Sequence, residues 1–121
     1  MKFSLSRRAA LALAAILCLS SAAAVVATPA AATEPAALSV TIKDHRFEPA
    51  ELRAPANTPI ELAVKNLDPT PEEFESDPLR VEKIVPGNGS ITVKIRPMKP
   101  GRYKFEGEYH EDTAQGVLIV E

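Results

Sequence analysis

Apolar and polar residues alternate along most of the chain beyond residue 37. In "ALSVTIK" the apolar positions are Leu38, Val40 and Ile42. "PIELAVKN" repeats the pattern with Ile60, Leu62 and Val64, and "SITVKIRP" with Ile91, Val93 and Ile95. "RYKFEGEY" puts Tyr103, Phe105 and Tyr109 on one face, "GVLIVE" closes the chain, and "LRVEKIV" suggests a shorter segment of the same kind. A period of two sends successive side chains to opposite faces, so each stretch predicts a strand with one buried face. Helical periodicity is almost absent. The segments are separated by "FEPAELRAPANTP", "NLDPTP", "SDP", "PGNG" and "MKPG". The chain has 11 prolines, each of which removes an amide donor and crowds the preceding turn, so long helices are excluded. Strands at a spacing of roughly 8–12 residues predict one all-β domain, an antiparallel sandwich or barrel of six to eight strands.

The first residues follow a different rule. Lys2, Arg7 and Arg8 precede the apolar run "AALALAAILCL", and small residues follow, with A-x-A sites ending at Ala24 and Ala32. This is the layout of a secretory signal peptide, expected over residues 1–32. Residues 33–37 read as a disordered lead-in and 38–121 as the domain. Export predicts a periplasmic protein with no membrane insertion of its own. The leader takes three of the 14 basic residues and none of the 16 acidic ones. That leaves 11 against 16, a formal charge of −5. An acidic surface argues against nucleic acid and favours cations or basic partners. The single cysteine, Cys18, leaves with the leader, so the domain has neither a disulfide nor a thiolate ligand.

The chemistry concentrates in "FEGEYHEDTAQG", where one histidine, His110, stands among Glu106, Glu108, Glu111 and Asp112. The sequence shows no nucleophile–base pair and no phosphate loop. A sandwich of this size offers no deep cleft, so catalysis is not the expectation.

Two longer stretches arrive in a recognisable order. "IKDHRFEPAELRAPANTPIELAVKNLD" resembles the first half of small cupredoxin domains, and "MKPGRYKFEGEYHEDTAQGVLIVE" resembles their end. The resemblance covers Leu38 to Glu121 and implies a Greek-key β-sandwich. It also implies which residues matter. Blue-copper members carry cysteine where this chain has Gly107, histidine where it has His110, and methionine near Ala114 or Gln115. A further histidine falls in them among what are here Glu72 and Glu73. A thiolate makes the blue site, so that centre is excluded. The chain is more similar to the iron-transport cupredoxins associated with FTR1-type permeases. Glu73-Phe74-Glu75 resembles their E-aromatic-E segment, and "VEKIVPG" their next strand, with Glu82 on a matching acidic position. The resemblance implies a periplasmic accessory that binds iron and delivers it to an inner-membrane iron permease and other uptake components, or assists its oxidation.

In such a fold the turns after Asn66 and Tyr109 meet at one end. That would bring Glu72, Glu73 and Glu75 near Glu108, His110 and Glu111. With Glu82, which the resemblance adds, Glu73, Glu75, Glu108 and His110 are the expected metal ligands, hard oxygen donors around one imidazole that suit iron, with copper as the other candidate. Phe74 is expected in the core, with Glu73 and Glu75 facing away from it, and Glu106, Glu108 and His110 sharing one strand face. His45 in "KDHRF" reads as a surface turn residue, and pairing it with His110 is rejected because the two turns are expected at different ends or edges. Met98 reads as core filler. The competing readings are a copper-binding redox partner without a type 1 site, and a metal-free interaction module that docks through its acidic face.

Overall fold

The structure is a computed structural model that describes residues 22–28 and 33–121. Of the predicted leader, residues 1–21 and 29–32 lie outside the described residues. The fold is all-β, as the alternation predicts, and takes the form of the two-sheet sandwich that the resemblance implies. Among the described residues nine strands run in order: β1 Ala36–Lys43, β2 Arg46–Glu48, β3 Glu51–Ala54, β4 Ile60–Asn66, β5 Glu72–Ser76, β6 Val81–Val85, β7 Ser90–Ile95, β8 Gly101–Gly107 and β9 Gln115–Val120. A single 3-10 turn, Glu108–His110, interrupts the described strands. The count exceeds six to eight because the proline-rich stretch after Ile42 contributes two short strands, β2 and β3. The domain also begins earlier than Leu38: β1 starts at Ala36, whose N–H donates to Pro59 O at 2.8 Å.

One sheet has the order β2-β1-β4-β7 and the other β3-β9-β8-β5-β6. The sandwich is not purely antiparallel: β1 runs parallel to β4 and β3 parallel to β9. The β1–β4 register sets Ile42 beside Asn66. Both strands therefore release the chain at the same end, where β5 begins at Glu72 and β8 finishes at Gly107.

The inward positions of the predicted strands build the core. Val40, Ile42, Ile60, Leu62, Val64 and Val93 line the first sheet, and Phe74, Val85, Phe105 and Leu118 the second, all buried. Burying each such side chain contributes roughly 1.5–3 kcal/mol. Phe47 meets Phe105 edge-on at 4.9 Å, and Phe74 stacks on Phe105 at 5.1 Å. Opposite Phe105 on β9 stands Gly116. A Cβ there would lie 2.2 Å from the Phe105 ring, so the glycine is a matter of space. Met98 is buried as core filler, at the end of the sandwich away from Asn66, with its carbonyl accepting the Asn57 N–H. Tyr109 departs from its expected inward place and is exposed, because the chain has left β8 for the 3-10 turn by that point.

Candidate metal centre

The end of the sandwich at which β1, β4 and β8 finish is held by buried polar groups. Asn66 is fully buried; its Nδ2 donates to Thr70 O at 2.8 Å, and its Oδ1 accepts the Asp68 N–H at 3.0 Å. Asp68 in turn reaches across to the β1–β2 turn. Its two carboxylate oxygens accept the N–H groups of Asp44 and His45, both at 2.9 Å. Those two residues have φ of 50° and 57°, a left-handed conformation that costs non-glycine residues energy. The Asp68 contacts offset that cost. The amides, the His45 contact first among them, hold the Asp68 carboxyl below its ordinary range.

Glu72 opens β5 on the same strand face as Phe74 and is 1 % exposed. Its Oε1 accepts the N–H of Tyr109 at 2.9 Å and of Glu73 at 3.1 Å. Its Oε2 lies 2.5 Å from His110 Nδ1. The 3-10 turn swings His110 off the strand face and inward, and Thr113 ties the turn to the β1–β2 loop by donating its hydroxyl to His45 O at 2.6 Å. The His45 ring then lies over His110, with centroids 3.5 Å apart and planes 14° from parallel. Among the described residues, His45, Glu72 and His110 form a trio whose ligand atoms all lie within 4.8 Å of one another. His45 and His110 line an open groove of about 610 Å³ between His45 and the segment Glu108–Thr113, and Glu72 is buried.

The structure divides the predicted ligand set. Glu73, Glu75, Glu82 and Glu108 gather on the outer face of the β5–β6–β8 sheet, with Glu75 directly opposite Glu82. The neighbouring Glu73 raises the Glu82 carboxyl, and Glu75 raises that of Glu108. His110 is not on that face; it points inward to Glu72. The expectation that His45 and His110 lie at different ends is overturned by their stacked rings, because the parallel β1–β4 pairing carries the β1–β2 turn to the same end as the 3-10 turn. Glu72 was visible in the sequence as the acid on Phe74's side of the strand. An inward carboxylate at a strand end is itself a signal, since buried acids need a partner.

Comparison with known proteins agrees with this architecture. The family profile described as a cupredoxin-like domain matches residues 9–120. An uncharacterized protein of Rickettsia prowazekii is 48% identical over 83 residues, 69% of this chain and 66% of its own length, so the chain spans slightly under two thirds of that relative. Among solved structures, the metal-binding domain of the Cu(I)-exporting P-type ATPase CopA of Streptococcus pneumoniae superposes with a TM-score of 0.62 at 14% identity, covering 74% of this chain and 97% of that one. Auracyanin A, a "blue" copper protein of Chloroflexus aurantiacus, gives 0.62 at 14% identity over 73% and 100%. A purple cupredoxin of Nitrosopumilus maritimus gives 0.52 at 17% identity over 69% and 99%. At these identities the structures testify to the fold.

A blue copper centre does not fit the residues present. It requires a cysteine thiolate, and the described residues include none. At the end of β8 stands Gly107, and the space a side chain would take there is filled by Glu72: a Cβ on Gly107 would lie 2.7 Å from Glu72 Cδ.

Proposed function

Because this chain belongs to the cupredoxin-like domain family, we propose that it is a periplasmic metal carrier that holds a divalent first-row ion at His45, Glu72 and His110. In this reading it hands that ion to an inner-membrane permease. The observation that carries the reading is the trio of donors within 4.8 Å at one end of the sandwich. Two imidazoles and one carboxylate form a borderline donor set that suits Fe(II) and, by the general affinity order, binds Cu(II) more tightly. Iron is the cargo this reading favours, in keeping with the acidic surface. Copper is the second reading, supported by the copper named for two of the superposing structures.

The chemistry assigned to the chain is binding and release. The stacked rings cannot both aim a lone pair at one ion, because each lone pair lies in its own ring plane. Loading therefore turns one imidazole, and the exposed His45 side of the stack faces the open groove. An ion held by His110 Nδ1 and Glu72 together displaces the proton between them, so uptake through that pair releases protons and weakens in acid. Glu73, Glu75, Glu82 and Glu108 lie outside the first contacts and raise the cation concentration around the groove.

Calorimetric titration of the apo protein with anaerobic Fe(II), Cu(II) and Mn(II) tests the reading. His110→Ala and Glu72→Gln are expected to weaken binding by at least ~10–100-fold, and Glu75→Gln and Glu82→Gln to change it far less. Unchanged affinity in the first pair sinks the site. A larger loss in the second pair transfers it to the outer acidic face.

A further inference from the structure

We infer that Gly107 is the specificity-determining residue of this centre. Lacking a side chain, it admits the Glu72 carboxylate beside His110 and so commits the site to divalent ions over Cu(I). The inference rests on the carrier reading above.

Gly107 closes β8 with φ −95° and ψ 104°, a conformation open to any residue. The backbone does not ask for glycine there; the space does. A Cβ would stand 2.7 Å from Glu72 Cδ, 2.9 Å from Glu72 Oε1 and 2.7 Å from Ala114 Cβ. Carbon atoms in contact rest near 3.5–4.0 Å, so all three approaches are impossible without movement. Glu72 is 1 % exposed and Ala114 is fully buried. Ala114 can yield only with its backbone, whereas the end of the Glu72 side chain is mobile and can leave. Its departure would break the contacts with Tyr109 N–H, Glu73 N–H and His110 Nδ1 together.

The identity of residue 107 and the position of the carboxylate are thus a single choice. With glycine, the site offers two imidazoles and an oxygen, a set for divalent ions. With a side chain, the oxygen is expelled and two imidazoles remain, which discriminate less between Cu(II) and Cu(I).

The test measures Cu(II) and Cu(I) affinities by competition with chromophoric chelators, with the Cu(II) EPR spectrum as a reading of the donor atoms. Gly107→Ala is expected to lose ~10–100-fold in Cu(II) affinity, to change Cu(I) affinity much less, and to shift the EPR spectrum as Glu72→Gln does. Because both substitutions remove the same carboxylate ligand, the double variant should match the weaker single one within about twofold. Multiplying losses in the double variant, or a Gly107→Ala protein with wild-type affinity and spectrum beside a weakened Glu72→Gln, overturns the role of Gly107 alone. If Glu72→Gln and His110→Ala also bind as the wild type does, the carrier reading fails and this inference with it. Should Gly107→Ala fold poorly, Gly107→Ala combined with Ala114→Gly relieves the Ala114 contact, keeps the Glu72 one, and must show the same loss.

Discussion

A single carboxylate keeps the His45 turn in its left-handed form. Asp68 supplies both acceptors for the Asp44 and His45 amides, and both contacts are partly buried. Asp68→Ala should therefore cost about 2 kcal/mol of stability, read as a lower urea midpoint at unchanged slope. It should also weaken metal binding through His45, whose ring Nδ1 stands 3.5 Å from Asp68 Oδ2. A fall in stability with full metal affinity would show that the His45 ring is placed by its stack on His110 and not by its backbone.

Strand pairing explains what the outer acidic face costs. On β5 and β6, Glu75 stands opposite Glu82, with Glu73 one pair further along. The Glu73 carboxylate, first by direct contact and then by repulsion, raises the Glu82 carboxyl above its ordinary 4.5. A raised acid is one the folded state prefers protonated. Its contribution is therefore most favourable below the unfolded value and is lost as pH rises through the window between 4.5 and the folded value. Glu82→Gln should melt higher than wild type at pH 7, with the advantage shrinking as pH falls toward 4.5 and absent below it. An advantage that persists at pH 3.5 would locate the effect in packing instead. Strand faces were the legible part of this molecule. Alternation placed Phe74 and Phe105 inside and Glu73 and Glu75 outside, and the resemblance placed Met98 in the core. Alternation did not reveal pairing between distant strands. The parallel β1–β4 contact, which brings His45 to the site, joins two strands separated by β2 and β3 in sequence, and alternation within each does not say which strands pair. The 3-10 turn that redirects His110 is hidden in the sequence, because Glu108, Tyr109 and His110 continue the alternation three residues beyond the end of β8.

For the whole domain, the donors come from three separate places in the chain: the β1–β2 turn, the start of β5 and the turn after β8. An ion bound by all three ties both sheets together and binds the folded state alone. At a free ion concentration a hundredfold above the dissociation constant, such linkage contributes about 2.7 kcal/mol. For a domain of this size that should raise the melting temperature on the order of ten degrees, and a chelator should abolish the rise. A melting point indifferent to Fe(II), Cu(II) and chelator alike would favour an interaction module without metal. The face-to-face imidazoles have one more consequence. The chain holds two histidines in all, and both are in that stack. Every ring-nitrogen resonance therefore reports on the centre without assignment, and a polyhistidine purification handle would bury that signal under donors of its own.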